Sequence, residues 1–185
     1  GLDANFDPNI ENSPVFPQII EYLTDGPGFW KRYGVHHPFL LPEYNGDGQF
    51  YHKSFAQIGF APGMADHISF VELVDVPTNG TSKLSVDDLN DSHLRRLKAW
   101  IENDSTKIVF LPTSVGHLMH KTGVFPWLRR KAVREPEKAS HLRIWGSAGS
   151  VPVYWHYHFS VYGKFEAEKQ NQLREIRGLV GRHSL

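Results

Sequence analysis

The chain has 185 residues, 40% of them apolar and 22% charged, enough for one buried core and too short for two comfortable domains. Lysine plus arginine equals aspartate plus glutamate at twenty each, so there is no global attraction for a polyanion and any nucleic-acid surface is confined to a local patch. Cysteine is absent, which excludes disulfides, a thiol nucleophile and thiolate-held zinc or iron–sulfur clusters.

The opening stretch from Asp3 to Pro17 is dense in Asp, Asn and Pro and reads as a loop. A strand should lead into it: either residues upstream of Gly1 supply it, or the sheet lacks its usual first strand. Pro17 to Leu23 reads as a short helix with proline at its first position. Gly26-Pro27-Gly28 reads as a break, with a second helical stretch from Phe29 to Tyr33. Pro38 to Gly48 is turn-rich, and Phe50 to Ile58 spaces its apolar residues along one helical face.

Ile68 to Val74 is β-branched and bounded by Pro77 and Gly80, which predicts a strand. Ser85 and Asp88 form a capping-box pattern, and the helix behind it is expected to run to about Glu102 with Leu89, Leu94, Leu97 and Ile101 buried. Lys107 to Pro112 is short and fully apolar, the pattern of a central parallel strand. A helix over Ser114 to Lys121 follows. Leu142 to Trp145 and Val151 to His158 are further strands, and Glu166 to Leu179 closes the chain as a helix.

Strands separated by helices predict a single α/β domain over residues 1–185, a three-layer αβα fold on a central, mainly parallel sheet of about four strands. In such sheets ligands bind at the carboxyl ends of the strands, after Val74, Leu111 and His158. No apolar run is long enough for a transmembrane helix, and Gly1 to Phe6 has no secretory pattern. A cytoplasmic protein with no membrane partner and no obligate protein partner is the expectation.

Four constellations bear on chemistry. Gly1-Leu2-Asp3-Ala4-Asn5-Phe6 is a polar-rich turn with one carboxylate, and alone it also reads as an ordinary Asx-turn. His156 and His158 face the same side of their strand; that spacing suits a metal if His117 or His120 adds a ligand. Val71 to Thr78 reads as a buried strand and a proline turn. Lys121 to Arg143 carries seven positive residues, Arg129 and Arg130 among them, against Glu135 and Glu137. It is either a solvated surface or a phosphate-contacting patch.

The order of these segments resembles the uracil-DNA glycosylase superfamily. Gly1-Leu2-Asp3 is similar to its first motif. Phe29-Trp30-Lys31 and Glu72-Leu73-Val74-Asp75-Val76-Pro77-Thr78 resemble segments of the mismatch-specific uracil (thymine) branch, and His158-Phe159-Ser160 is similar to the second motif, His-Pro-Ser. The likeness spans nearly the whole chain. Ala4 and Phe159 replace motif prolines, Glu72 stands where that branch has lysine, and no asparagine occurs from Phe70 to Val76.

The resemblance implies a base-excision DNA-repair hydrolase that flips a deaminated or mismatched base out of duplex or single-stranded DNA and cleaves its N-glycosidic bond without a cofactor. Asp3 would stabilise the sugar cation and orient water, and His158 would donate a hydrogen bond to the departing base. Phe6 or Phe16 would stack on the base. Glu72 would shape base preference, and Ser160 with Arg129 and Arg130 would hold phosphates. Two alternatives remain: a catalytically inactive nucleic-acid or nucleotide binder of the same fold, and a His-based metal hydrolase.

Overall fold

A computed structural model describes residues 6–75, 84–103, 108–134 and 140–183. The amino-terminal part is helical: α1 Phe16–Thr24, α2 Gly26–Tyr33 and α3 Gln49–Ala56. Gly26-Pro27-Gly28 does not separate helices but starts α2. Pro27 sits in the first turn, where a missing N–H costs nothing, and Asp25 caps it by accepting from the Gly28 N–H at 2.9 Å.

The carboxyl-terminal part holds α4 Asp91–Ile101, β1 Val109–Pro112, α5 Thr113–Lys121, β2 Leu128–Val133, β3 Arg143–Ala148, β4 Val151–His156 and α6 Glu166–His183. The capping box at Ser85 and Asp88 is formed, but it closes only a single 3-10 turn, Val86–Asp88. Asn90 caps the true helix by accepting from the N–H groups of Ser92 and His93, so α4 begins later than the sequence predicts.

The four strands pair in the order β1-β4-β3-β2. Only β1 and β4 are parallel, with Val109 opposite Val153 and Pro112 opposite His156. β4 with β3 and β3 with β2 are antiparallel, so the sheet is mixed and the expected mainly parallel arrangement is corrected. Connection length explains this. β3 and β4 are joined by Gly149 and Ser150, with Gly149 at φ +60°, a hairpin that can only reverse direction. The segment 134–142 between β2 and β3 is likewise too short for a parallel crossover.

Side-chain alternation divides the core between the two faces of the sheet. Leu111, Val153 and Trp155 join Leu94, Leu97 and Ile101 of α4 and Val115, Leu118 and Met119 of α5. Phe110 and Tyr154 point the other way, against Phe55 of α3 and Leu173 and Ile176 of α6. A third cluster, with Val15, Ile19, Phe29 and Phe39, holds the amino-terminal helices together.

Residues 68–74 are not a strand, which corrects the second sequence expectation. The segment is built like one, since Ile68 and Phe70 pack into one cluster and Val71 and Leu73 into the other. Between it and β1 lies a cavity of about 580 Å³, lined by 68–73 and by 108–112, so the segment does not join the sheet beside β1. Apolar pattern alone does not pair a strand.

Candidate functional site

The carboxyl ends of β1 and β4 meet the amino-terminal helices, and polar and aromatic groups collect there. The chain leaves β4 through His156, Tyr157, His158, Phe159 and Ser160. His156 and Phe159 turn inward and are buried, while His158 is exposed at the rim. The Ser160 N–H donates to His158 Nδ1 at 3.2 Å. Nδ1 is therefore the acceptor nitrogen, and a neutral His158 carries its proton on Nε2. Crowding by surrounding atoms holds the ring's pKa below the ordinary histidine value, which favours that neutral form.

α6 fixes this loop from below. Lys169 is 2% exposed, and its ammonium donates to the carbonyls of Val161 at 2.9 Å and Phe159 at 3.4 Å while pairing with Glu166. One turn along, buried Gln172 accepts from the Tyr157 N–H at 2.8 Å and donates to the His141 carbonyl at 2.9 Å. Both residues lie on the same helical stripe as Leu173 and Ile176. The sheet-facing side of α6 thus spends two positions on holding backbone.

On the opposite side of the rim, Tyr51 of α3 lies 5.1 Å from the His158 ring and 5.3 Å from Phe159 between ring centroids. Next to it is a cluster of histidines that the residue pattern did not reveal, His36 and His37 buried and His52 half-buried. The His52 ring stacks on His37 at 3.6 Å, and His52 Nδ1 lies 3.2 Å from His36 Nε2. Burial lowers their pKa values to about 3 for His36, 2 for His37 and 4 for His52. His156 falls to about 4 for the same reason, partly offset by its Nδ1–H donating to the Tyr157 carbonyl at 2.6 Å. All four are neutral near pH 7.

Of the site residues expected from sequence, Asp3 lies outside the described residues. Phe6 packs edge-on against Phe39 at 6.0 Å, three aromatic contacts away from Tyr51. Phe16 opens α1, half-buried. Glu72 lines the cavity with a buried Oε2, and its charge adds to burial in raising the pKa of Tyr22 to about 12 and in raising that of Tyr51 further. His158, Ser160 and Glu72 therefore belong to one end of the sheet.

Arg129 and Arg130 do not. They are exposed on β2, at the far edge of the sheet, between the levels of Val153 and Tyr154 in the middle of β4. Leu128 is opposite Gly146, which is opposite Val153; at ~3.3 Å per residue the end of β4 at His156 lies about 10 Å further along, two strands across the sheet. Arg143, opposite Trp155 and with its guanidinium 4.7 Å from the centre of that ring, is a member of the basic segment near the carboxyl end of β4, and Arg134 follows directly on β2. Among the described residues no group of three or more His, Cys, Asp or Glu side chains is placed to hold a metal ion. No described helix is long and apolar enough to cross a membrane. Compared with known proteins, the chain matches no family model, no curated sequence and no solved structure.

Proposed function

We propose that this protein is a monofunctional DNA glycosylase acting on a deaminated or mismatched base at the carboxyl edge of its sheet. The observation that carries the reading is the hydrogen bond from the Ser160 N–H to His158 Nδ1, which leaves Nε2–H as the donor on a neutral, rim-exposed ring. Cleavage of an N-glycosidic bond places negative charge on the departing base. A fixed neutral donor stabilises that charge as it develops, and removing such a donor typically costs about 10²–10³ in rate.

The other roles follow the same chemistry. Asp3 is the carboxylate that stabilises the sugar cation and orients water. Tyr51 and Phe6 offer aromatic faces to the flipped base, a contact worth ~1–3 kcal/mol. Glu72 biases which base edge is accepted. Arg134 contacts phosphate near the site, and Arg129 and Arg130 contact phosphates farther along the DNA. The packing of helices on both faces of the sheet is in keeping with the three-layer α/β architecture of this reading.

An inactive nucleic-acid binder is the second reading, and Phe159 is what favours it. The side chain standing where the motif has proline is buried against Tyr51, Phe55 and His156, a core role. Two variants separate the readings. In the glycosylase, Asp3→Ala and His158→Ala lower base release by two orders of magnitude or more while DNA affinity stays within about threefold, because both groups act on charge that appears in the transition state. In the binder, neither change has turnover to remove.

A further inference from the structure

Two exposed phenylalanines border the loop that carries His158, and neither belongs to one of the three core clusters. Phe50, in the first turn of α3, is 50% exposed, and the Lys169 ammonium lies 5.3 Å from its ring centre. Lys169 is also the residue that binds the Phe159 and Val161 carbonyls, so Phe50 flanks the loop from the α3 side. Phe165 ends the 3-10 turn Gly163–Phe165 and is 39% exposed. Its ring lies 5.2 Å from that of Tyr157, which packs on the face of the sheet opposite to Tyr51.

Behind Phe165 the rings continue inward, with a cation at each end. Tyr157 meets Trp155 at 4.7 Å between ring centres, and the Arg143 guanidinium lies over Trp155. At the outer end the Lys164 ammonium is 5.1 Å from the centre of the Phe165 ring. Glu166, the next carboxylate along the chain, is already engaged by Lys169 and Gln170 and does not cancel Lys164. A cation over an exposed ring is a weaker contact than a nucleobase stacked on that ring. A base therefore displaces the Lys164 ammonium, which is then free to meet a phosphate. Rings that accept any base face, set beside cations, suit a strand followed without regard to sequence.

We propose that this rim is a track for single-stranded DNA, on which Phe50 and the Phe165–Tyr157 pair each stack a base flanking the nucleotide presented to His158. The choice of a single strand follows from how the rings are held. A side chain that opens a duplex acts as a free-standing wedge between base steps. Both rings here are backed instead, Phe50 by Lys169 and Phe165 by Tyr157, and so present one face each as a platform. In a duplex, neighbouring bases already cover those faces, whereas the bases of a single strand turn freely onto aromatic side chains. The proposal rests on the glycosylase reading for the nucleotide at His158, but binding along the track needs no reaction.

The test is the affinity of the 185-residue chain for a mixed-sequence single strand with no excisable base, against the same sequence as a duplex, read by fluorescence anisotropy. The single strand is expected to bind roughly tenfold more tightly or better. Phe50→Ala and Phe165→Ala are each expected to weaken single-strand binding about fivefold or more while changing duplex affinity less than about twofold. A strand of abasic sites keeps the phosphates and removes the bases. Its affinity for the unaltered protein is expected to fall as far as that of the normal strand for the variant lacking both rings, which decides the matter should the variants fold poorly. Duplex bound as tightly as single strand, an abasic strand bound as tightly as the normal one, or variants without effect overturn the proposal. Binding to anionic phospholipid vesicles through the same rings, with no single-strand affinity, also overturns it. Base release from duplex alone would remove the track and keep the glycosylase. Single-strand binding through both rings, with no base released from any oligonucleotide, would keep the track and remove the reaction.

Discussion

The Lys169 ammonium donates to the Val161 carbonyl across 2.9 Å, from a side chain that is 2% exposed. Together with its bond to the Phe159 carbonyl and the grip of Gln172 on the Tyr157 N–H, it fixes residues 157, 159 and 161. His158 and Ser160 are the two residues between these anchors. The loop keeps its polar side chains at the rim because its backbone is held from beneath.

Replacing Lys169 with methionine keeps the volume and removes the donors, leaving buried carbonyls without their charged partner. The expected loss is about 2–3 kcal/mol of stability, measured by urea denaturation. Base release is expected to fall tenfold or more, because the His158 ring loses its fixed setting. A variant as stable and as active as the parent contradicts the anchoring role.

Acid is expected to destabilise the protein well before its carboxylates titrate. His36, His37, His52 and His156 have folded pKa values depressed to about 2–4, against about 6.5 unfolded. The unfolded chain therefore binds more protons below pH 6.5, and stability present above that pH is lost progressively as pH falls towards the folded values. Each histidine contributes a slope of up to about 1.4 kcal/mol per pH unit. Denaturation curves at pH 7.5, 6 and 5 check this. Replacing His52, in contact with both His36 and His37, with leucine is expected to make the decline shallower.

Gly116 of α5 faces the Trp145 indole so closely that an added Cβ would lie 2.5 Å from its ring carbons. Trp145 cannot simply retreat, since it is 1% exposed and its Nε1–H donates to the Leu111 carbonyl at 3.2 Å. Gly116→Ala is expected to cost about 1–3 kcal/mol as an overpacked core site, despite alanine's better helix propensity. A thermal midpoint that rises instead would show that α5 can move outward freely.

Replacing Arg129 and Arg130 with alanine is expected to weaken DNA binding across all sequences and to flatten the salt dependence. The slope is expected to change by about 0.9 for each phosphate on duplex DNA that the variant no longer neutralises. Base release at saturating DNA should be unchanged, as both residues lie far from His158. Affinity and salt slope identical to the parent's would make β2 an ordinary solvated edge.

Much of this arrangement was legible in the residues, for identifiable reasons. β4 and β1 announce themselves because continuous β-branched and aromatic runs have few other uses. The same signature misleads at 68–74, since periodicity records which side chains are buried and not which backbone lies alongside. β2 escaped notice because Leu128-Arg129-Arg130-Lys131-Ala132-Val133 is an edge strand, whose charges mask the alternation. His158 and Ser160 stand out as polar residues just after a strong strand, and the roles proposed for them come from the resemblance of His158-Phe159-Ser160 to the second motif. The His36, His37 and His52 cluster left no trace, because it joins a turn to a helix through tertiary packing. Lys169 and Gln172 did leave one, two polar residues on the helical stripe of Leu173 and Ile176, which is a hint of buried polar anchoring.

The central claim is tested most directly by incubating the protein with duplex and single-stranded oligonucleotides carrying uracil, hypoxanthine, xanthine or mismatched thymine, and scoring abasic sites. The expected result is base release from at least one member of the panel, in the presence of a chelator and without a covalent protein–DNA intermediate trapped by borohydride. Tight binding with no abasic site from any member would contradict the glycosylase reading and leave the inactive binder as the better account.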